Sequence, residues 1–162
     1  MIDIKENPAA YAVIKGSKKY PDIKGRAAFY DTYGGTVVVA TVYGLPQKRG
    51  ENNGGFHGFH IHEGGTCSGN VQNEFADAKG HYNPGVFPHP EHDGDLPPLL
   101  SNNGTAWMAV YTSRFYPEDV IGRTVIIHEN ADDFHSQPSG DAGEMIACGE
   151  IVSWSPDFCR RD

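Results

Sequence analysis

Positive charge is scarce in this chain. Thirteen lysines and arginines face 21 aspartates and glutamates, a net charge of −8. No basic face is available for nucleic acid, and an anionic membrane surface would repel the chain. Apolar residues make up only 38% of the sequence, and no run approaches the ~20 apolar residues of a membrane-spanning helix. The segment Met1-Ile2-Asp3-Ile4-Lys5-Glu6-Asn7-Pro8 has no apolar signal region, so the expected location is the cytoplasm unless a leader has been cleaved. Cysteine is thin too. Cys67, Cys148 and Cys159 form no Cys-x-x-Cys pair, which argues against a zinc ribbon, and an odd count leaves one thiol over unless it pairs between chains. Amphipathic periodicity at 3.6 residues is missing from every stretch of helical length.

What the chain has instead is turn residues and short apolar runs. Twenty glycines and 11 prolines in 162 residues punctuate strand candidates at 10–15, 26–33, 36–43, 56–62, 105–112, 124–129 and 146–154. One short helical turn is expected at Tyr116-Pro117-Glu118-Asp119-Val120, with Pro117 near its start. The whole reads as one all-β domain with a single core. Two segments, 63–100 and 130–143, read as long irregular loops, and long loops in a compact domain are usually functional.

Histidine carries the strongest chemical signal. In a strand, His60 and His62 share one face, while Phe59 and Ile61 point into the core. Two imidazoles about 7 Å apart at their Cα atoms can converge on one ion. His128 closes the apolar run Thr124-Val125-Ile126-Ile127-His128 and could add a third. Imidazoles without a thiolate suit Cu(II), and zinc would also accept them. His81, His89, His92 and Asp95 lie in a proline-stiffened loop and make a three-nitrogen, one-oxygen set that suits a closed structural zinc site. His81 could serve both ions once its ring is deprotonated at both nitrogens. Asp132 is placed to orient ligand imidazoles. His57 reads as structural, hydrogen-bonded to a neighbouring loop or strand, and His135 as a surface residue.

Taken together, these motifs resemble the copper–zinc superoxide dismutase family over nearly the whole chain. Gly58–Glu63 looks like that family's first copper motif, and Gly80-His81-Tyr82-Asn83-Pro84 like the segment around its bridging histidine. His89, His92 and Asp95 match its zinc ligands, with Gly94-Asp95-Leu96 following the family pattern. Gly122-Arg123-Thr124, His128-Glu129 and Asp132-Asp133 match the last copper ligand and the aspartate behind it. The short zinc loop and the position of Cys67 look like bacterial members. The resemblance implies an eight-stranded Greek-key β-barrel, an immunoglobulin-like sandwich, with long metal-binding and electrostatic loops. It implies copper on His60, His62, His81 and His128, and zinc on His81, His89, His92 and Asp95. It further implies a Cys67–Cys148 disulfide, superoxide as the substrate, and leaves a homodimer possible.

One position departs from the family pattern. Where the family carries an arginine that docks the anion, this chain has Met145, with Glu144 beside it. A slower dismutase is therefore expected, unless Arg114, Arg123, Arg160 or Arg161 supplies the charge. Met145 also raises an alternative, because a thioether is a soft ligand that favours Cu(I). The alternative function is a copper-binding or copper-buffering protein on the same scaffold. A zinc-only structural module would leave His60, His62 and His128 without a role.

Overall fold

The computed structural model describes residues 6–47 and 55–156. Eight antiparallel strands follow in chain order: β1 Ala10–Gly16, β2 Lys24–Thr32, β3 Gly35–Tyr43, β4 Phe56–His62, β5 Asp95–Leu100, β6 Ala106–Thr112, β7 Thr124–His128 and β8 Met145–Ser153. Hydrogen-bonded neighbours run β5-β4-β7-β8-β1-β2-β3-β6. The sheet curls until β5 and β6 approach each other, which nearly closes it into a barrel. Pairing of β3 with β6, across the intervening β4 and β5, supplies the Greek-key crossover. A single helical turn, α1, spans Pro117–Val120, where the sequence predicts one. No helix among the described residues is long and apolar enough to cross a membrane.

Alternation makes the barrel. Ala10, Ala12 and Ile14 of β1, Ala27 and Phe29 of β2, and Val38, Ala40 and Val42 of β3 fill the interior, joined by Phe59 and Ile61 of β4. Small residues on β1 and β2 leave room inside the curled sheet for the buried rings of Phe29 and Phe59. β4 and β7 are buried along nearly their whole length, since the loops that carry the candidate ligands cover their outer faces.

One strand escapes the sequence reading. Asp95-Leu96-Pro97-Pro98-Leu99-Leu100 forms β5 inside a segment expected to be irregular. Two prolines remove ladder donors and hide the strand, and such residues are tolerated only at an edge. β5 occupies that edge, paired on one side only, to β4.

Candidate metal centre

His60 and His62 leave β4 on the face opposite Phe59 and Ile61 and are themselves buried. Antiparallel pairing puts His60 opposite Ile126 of β7 and opposite Asp95 at the start of β5. His128 ends β7 at an irregularity in its pairing with β8. An isolated bridge to His62 brings in His81. The zinc-type aspartate therefore sits on a strand, and the histidines beside it come from the loop 63–94.

Two groups of ligand atoms result. One atom each from His60, His62, His81 and His128 lie within 4.8 Å of one another, and so do single atoms from His81, His89, His92 and Asp95. His81 belongs to both. Every residue that the sequence marks as a candidate ligand is brought to one place.

Proton bookkeeping shows which nitrogens are free. His60 Nε2–H donates to Asp132 Oδ2 at 2.6 Å, and His89 Nε2–H donates to Asp132 Oδ1 at 2.9 Å. His62 Nδ1–H donates to the Lys79 carbonyl at 2.8 Å, and His128 Nδ1–H to the Gly143 carbonyl at 3.2 Å. Each ring thereby has its tautomer fixed, and its second nitrogen holds a bare lone pair. Those second nitrogens converge. His62 Nε2 and His128 Nε2 lie 3.3 Å apart. His60 Nδ1, His81 Nε2 and His89 Nδ1 are buried with no hydrogen-bond partner. His89 Nδ1 comes within 3.0 Å of Asp95 Oδ2, yet with its proton on the far nitrogen it donates nothing there.

Lone pairs facing each other at such distances repel unless a cation sits between them. The spacing also suits one. A tetrahedral zinc with Zn–N bonds of about 2.0–2.1 Å has ligand–ligand edges of ~3.3 Å. His92 Nδ1 lies 3.2 Å from His81 Nδ1 and 3.2 Å from Asp95 Oδ2, while His81 Nδ1 is 2.7 Å from Asp95 Oδ1. The residues present fit a pair of ions bridged by His81.

Electrostatics point the same way. Burial drives the His60 imidazole down to about 4 and His128 to about 3, with neighbouring histidines adding to both. His62 lies well below its ordinary value, again mainly through burial. Burial by itself would raise Asp132, but hydrogen bonds from His60, the Phe134 amide and His89 hold it far below the carboxylate range. Near neutral pH His60, His62 and His128 are therefore neutral imidazoles beside the ionised Asp132, the protonation state that binds metal.

The sequence matches the family whose profile is described as "Copper/zinc superoxide dismutase (SODC)" over residues 23–151. The chain belongs to the copper/zinc superoxide dismutase family. The superoxide dismutase [Cu-Zn] of Deinococcus radiodurans is 32% identical over 145 residues, covering 78% of this chain and 76% of that protein. The superoxide dismutase [Cu-Zn] of Pasteurella multocida is 37% identical over 137 residues, 73% of each. The solved Cu/Zn superoxide dismutase from Brucella abortus superposes with a TM-score of 0.72 at 26% identity, covering 87% of this chain and 98% of that one.

Cys67 and Cys148 form a disulfide with Cα atoms 5.7 Å apart; Cys159 lies outside the described residues. Met145 is partly buried and packs with Cys67 against Phe75, Ala78, Ile126 and Cys148. Arg114 donates to the Pro90 carbonyl and to the His92 carbonyl, both at 2.9 Å. Arg123 donates to Glu63 Oε1 at 2.5 Å and lies over the Tyr82 ring. Both guanidiniums are engaged in holding the loops, and Arg160 and Arg161 lie outside the described residues. His57 is buried and uses Nδ1 to bond the His128 carbonyl at 3.0 Å. A bulge between His57 and Phe59 interrupts the alternation there.

Three supports escape the sequence reading. Gln137 clasps the His89 backbone from the loop 130–143, its Oε1 accepting at 2.9 Å and its Nε2 donating at 2.7 Å. Gly140 packs so closely that a Cβ there would lie 2.1 Å from Asp132 Oδ1. The carbonyls of Lys79 and Gly143 orient rings, and a backbone carbonyl leaves no trace in residue type.

Proposed function

We propose that the protein is a superoxide dismutase, with copper on His60, His62, His81 and His128 and zinc on His81, His89, His92 and Asp95. One observation carries this reading: the two Nε2 lone pairs of His62 and His128 face each other at 3.3 Å beside the partnerless buried nitrogens of His60 and His81. When bound, copper supplies one-electron exchange, and zinc supplies a fixed positive charge in a closed site. Two superoxide anions and two protons give O2 and hydrogen peroxide.

The residues divide the work. His81 keeps Nδ1 among His92 and Asp95, so its Nε2 is the ring nitrogen able to take up and hand on a proton. Asp132 binds one histidine of each group and holds both rings in the tautomer that turns a lone pair inward. Burial of His60 and His62 keeps bulk water from competing for those lone pairs. The net charge of −8 opposes an anionic substrate, which supports a rate below the diffusional ceiling.

The copper-buffering alternative draws on Met145 as a soft ligand. In the fold Met145 pairs with His128 across β7 and β8 and packs beside the disulfide cluster. Pairing of two copies is supported by the outward-facing, exposed Val13, Trp107 and Tyr111, and light scattering on the purified chain tests it. The disulfide supports a compartment more oxidising than the cytoplasm expected from the sequence; thiol trapping in cell extracts tests that. The deciding experiment is dismutase activity of the copper- and zinc-loaded chain beside Met145→Arg. Activity that rises in the variant supports the proposal. No activity in either, with both metals at full occupancy, overturns it.

A further inference from the structure

Met145 brings an oxidisable sulfur to the copper side, and the dismutase chemistry makes no use of it. It opens β8 directly opposite His128, the last residue of β7. Residues paired this way across antiparallel strands point to the same face, with Cβ atoms about 4.5–5.5 Å apart. Packing shows which face. Ile126, two residues before His128 and so on its side of β7, clusters with Phe75, Ala78 and Cys148, apart from the barrel interior, and Met145 packs against that cluster. The irregularity between Ile127 and His128 turns Ile146 into the core and leaves Met145 outside it. The thioether, partly exposed, therefore shares the outer face with the His128 imidazole.

Its contacts lead back to a second ligand. Ala78 precedes Lys79, whose carbonyl accepts from His62 Nδ1–H at 2.8 Å. The Gly64 amide donates to the Ala78 carbonyl and the Glu63 amide to the Gly80 carbonyl, both at 2.8 Å. The backbone that orients His62 is thus held by these two bonds and by the apolar contact of Phe75 and Ala78 with the cluster that Met145 joins.

We propose that Met145 is an oxidation site for the hydrogen peroxide that dismutation produces, and that its sulfoxide loosens the hold on copper. This rests on the dismutase reading for the source of the oxidant, though peroxide from elsewhere would react in the same way. A sulfur lone pair attacks one peroxide oxygen. The S–O bond forms as the O–O bond breaks, and the second oxygen leaves as water with both protons. The thioether gives up two electrons and the peroxide takes them. Methionine sulfoxide is polar where methionine is apolar. Its oxygen, set against Phe75, Ala78 and Ile126, costs free energy unless it finds a donor. The side chain then leaves the cluster, and the Lys79 carbonyl loses part of its support.

The chain carries its own reference. Met108 is also partly buried, but it sits on β6, which holds none of the candidate ligands, and packs against the core. The copper- and zinc-loaded full chain is treated with hydrogen peroxide in steps, and peptide mass spectrometry follows the added oxygen at each methionine. Copper affinity is measured on the same samples by chelator competition. Met145→Leu, which keeps an apolar side chain without sulfur, is carried through the same treatment. Met145 is expected to oxidise several-fold faster than Met108. Its conversion should weaken copper binding roughly tenfold, the low end of the effect of groups that orient metal ligands, while treated Met145→Leu holds copper as it did before treatment. Equal oxidation of the two methionines, a sulfoxide at Met145 that leaves copper affinity unchanged, or an equal loss in parent and Met145→Leu overturns the proposal. Superoxide consumption is assayed separately. A chain that consumes none, yet oxidises first at Met145 and then binds copper more weakly, would overturn the dismutase reading and leave the oxidation site standing.

Discussion

Asp132→Asn is the substitution that most directly probes the candidate centre. The carboxylate accepts from His60 Nε2–H through Oδ2 at 2.6 Å and from His89 Nε2–H through Oδ1 at 2.9 Å. Both oxygens are buried and both accept. Asparagine is almost the same shape but offers one acceptor and one NH2. One of the two histidines must then face a donor with its own N–H. That ring can relieve the clash only by moving its proton to Nδ1, the nitrogen that points into the ligand group, and it then has no lone pair to give. The loss is about one charge-assisted hydrogen bond, ~1.5–3 kcal/mol. In affinity this is roughly 10- to 150-fold, matching the 10–100-fold typical of groups that orient metal ligands. The Phe134 amide also donates to Oδ1, at 2.7 Å, so the amide oxygen is held on the His89 side. His60, and with it the copper site, should suffer more than the zinc site. Competition with chelators of known affinity measures both metals on the refolded variant. Copper and zinc both held as tightly as in the parent would refute the argument from tautomers.

Other outcomes follow from the same geometry. Gly140→Ala places a Cβ 2.1 Å from Asp132 Oδ1 and 2.7 Å from His89 Nε2 at φ +68°. The left-handed backbone alone costs ~1–2 kcal/mol, so a lowered Tm together with weakened zinc binding is expected, and a Tm equal to the parent's would exclude that close approach. The metal-free chain should lose stability on acidification. Its His60 and His128 titrate near 4 and 3 when folded, against about 6.5 unfolded. The unfolded state therefore binds more protons as pH falls from about 6.5 to 3, and folding weakens over that window, by roughly 3–5 kcal/mol per group in full. Urea midpoints of the metal-free chain that stay level between pH 7 and 4 would contradict this. Reducing the Cys67–Cys148 bridge, which spans 81 residues of sequence, should cost about 4 kcal/mol on the chain-entropy account; denaturation with and without reductant measures it.

How much of this was legible in the sequence depends on the kind of information each feature carries. Alternation is local, so seven of the eight strands could be read from it, and β5 was missed because Pro97 and Pro98 remove the donors that alternation presumes. The ligands were legible because metal chemistry restricts residue type to a few donors, and eight histidines in one chain limit the choices. Their supports were not legible. Lys79 and Gly143 act through carbonyls, which every residue has. Gln137 acts through an amide 48 positions from the histidine it clasps.

Charge shows the same division. The sequence gives the total, −8, but a field depends on where each charge sits. Four arginines stood as candidate cations for the copper side because nothing in their spacing said otherwise. In the fold, Arg114 is spent on the carbonyls of Pro90 and His92 and Arg123 on Glu63. The cation that does reach the carboxylates of Glu129 and Glu144, beside His128, is Lys19, 125 residues from Glu144 in the chain. Only the wrapping of β8 against β1 brings them together, since Lys15 pairs with Cys148 and Gly16 with Ala147. That ion pair is thus a property of the barrel's closure, and a change in the β1–β2 connection should remove it without touching a single ligand.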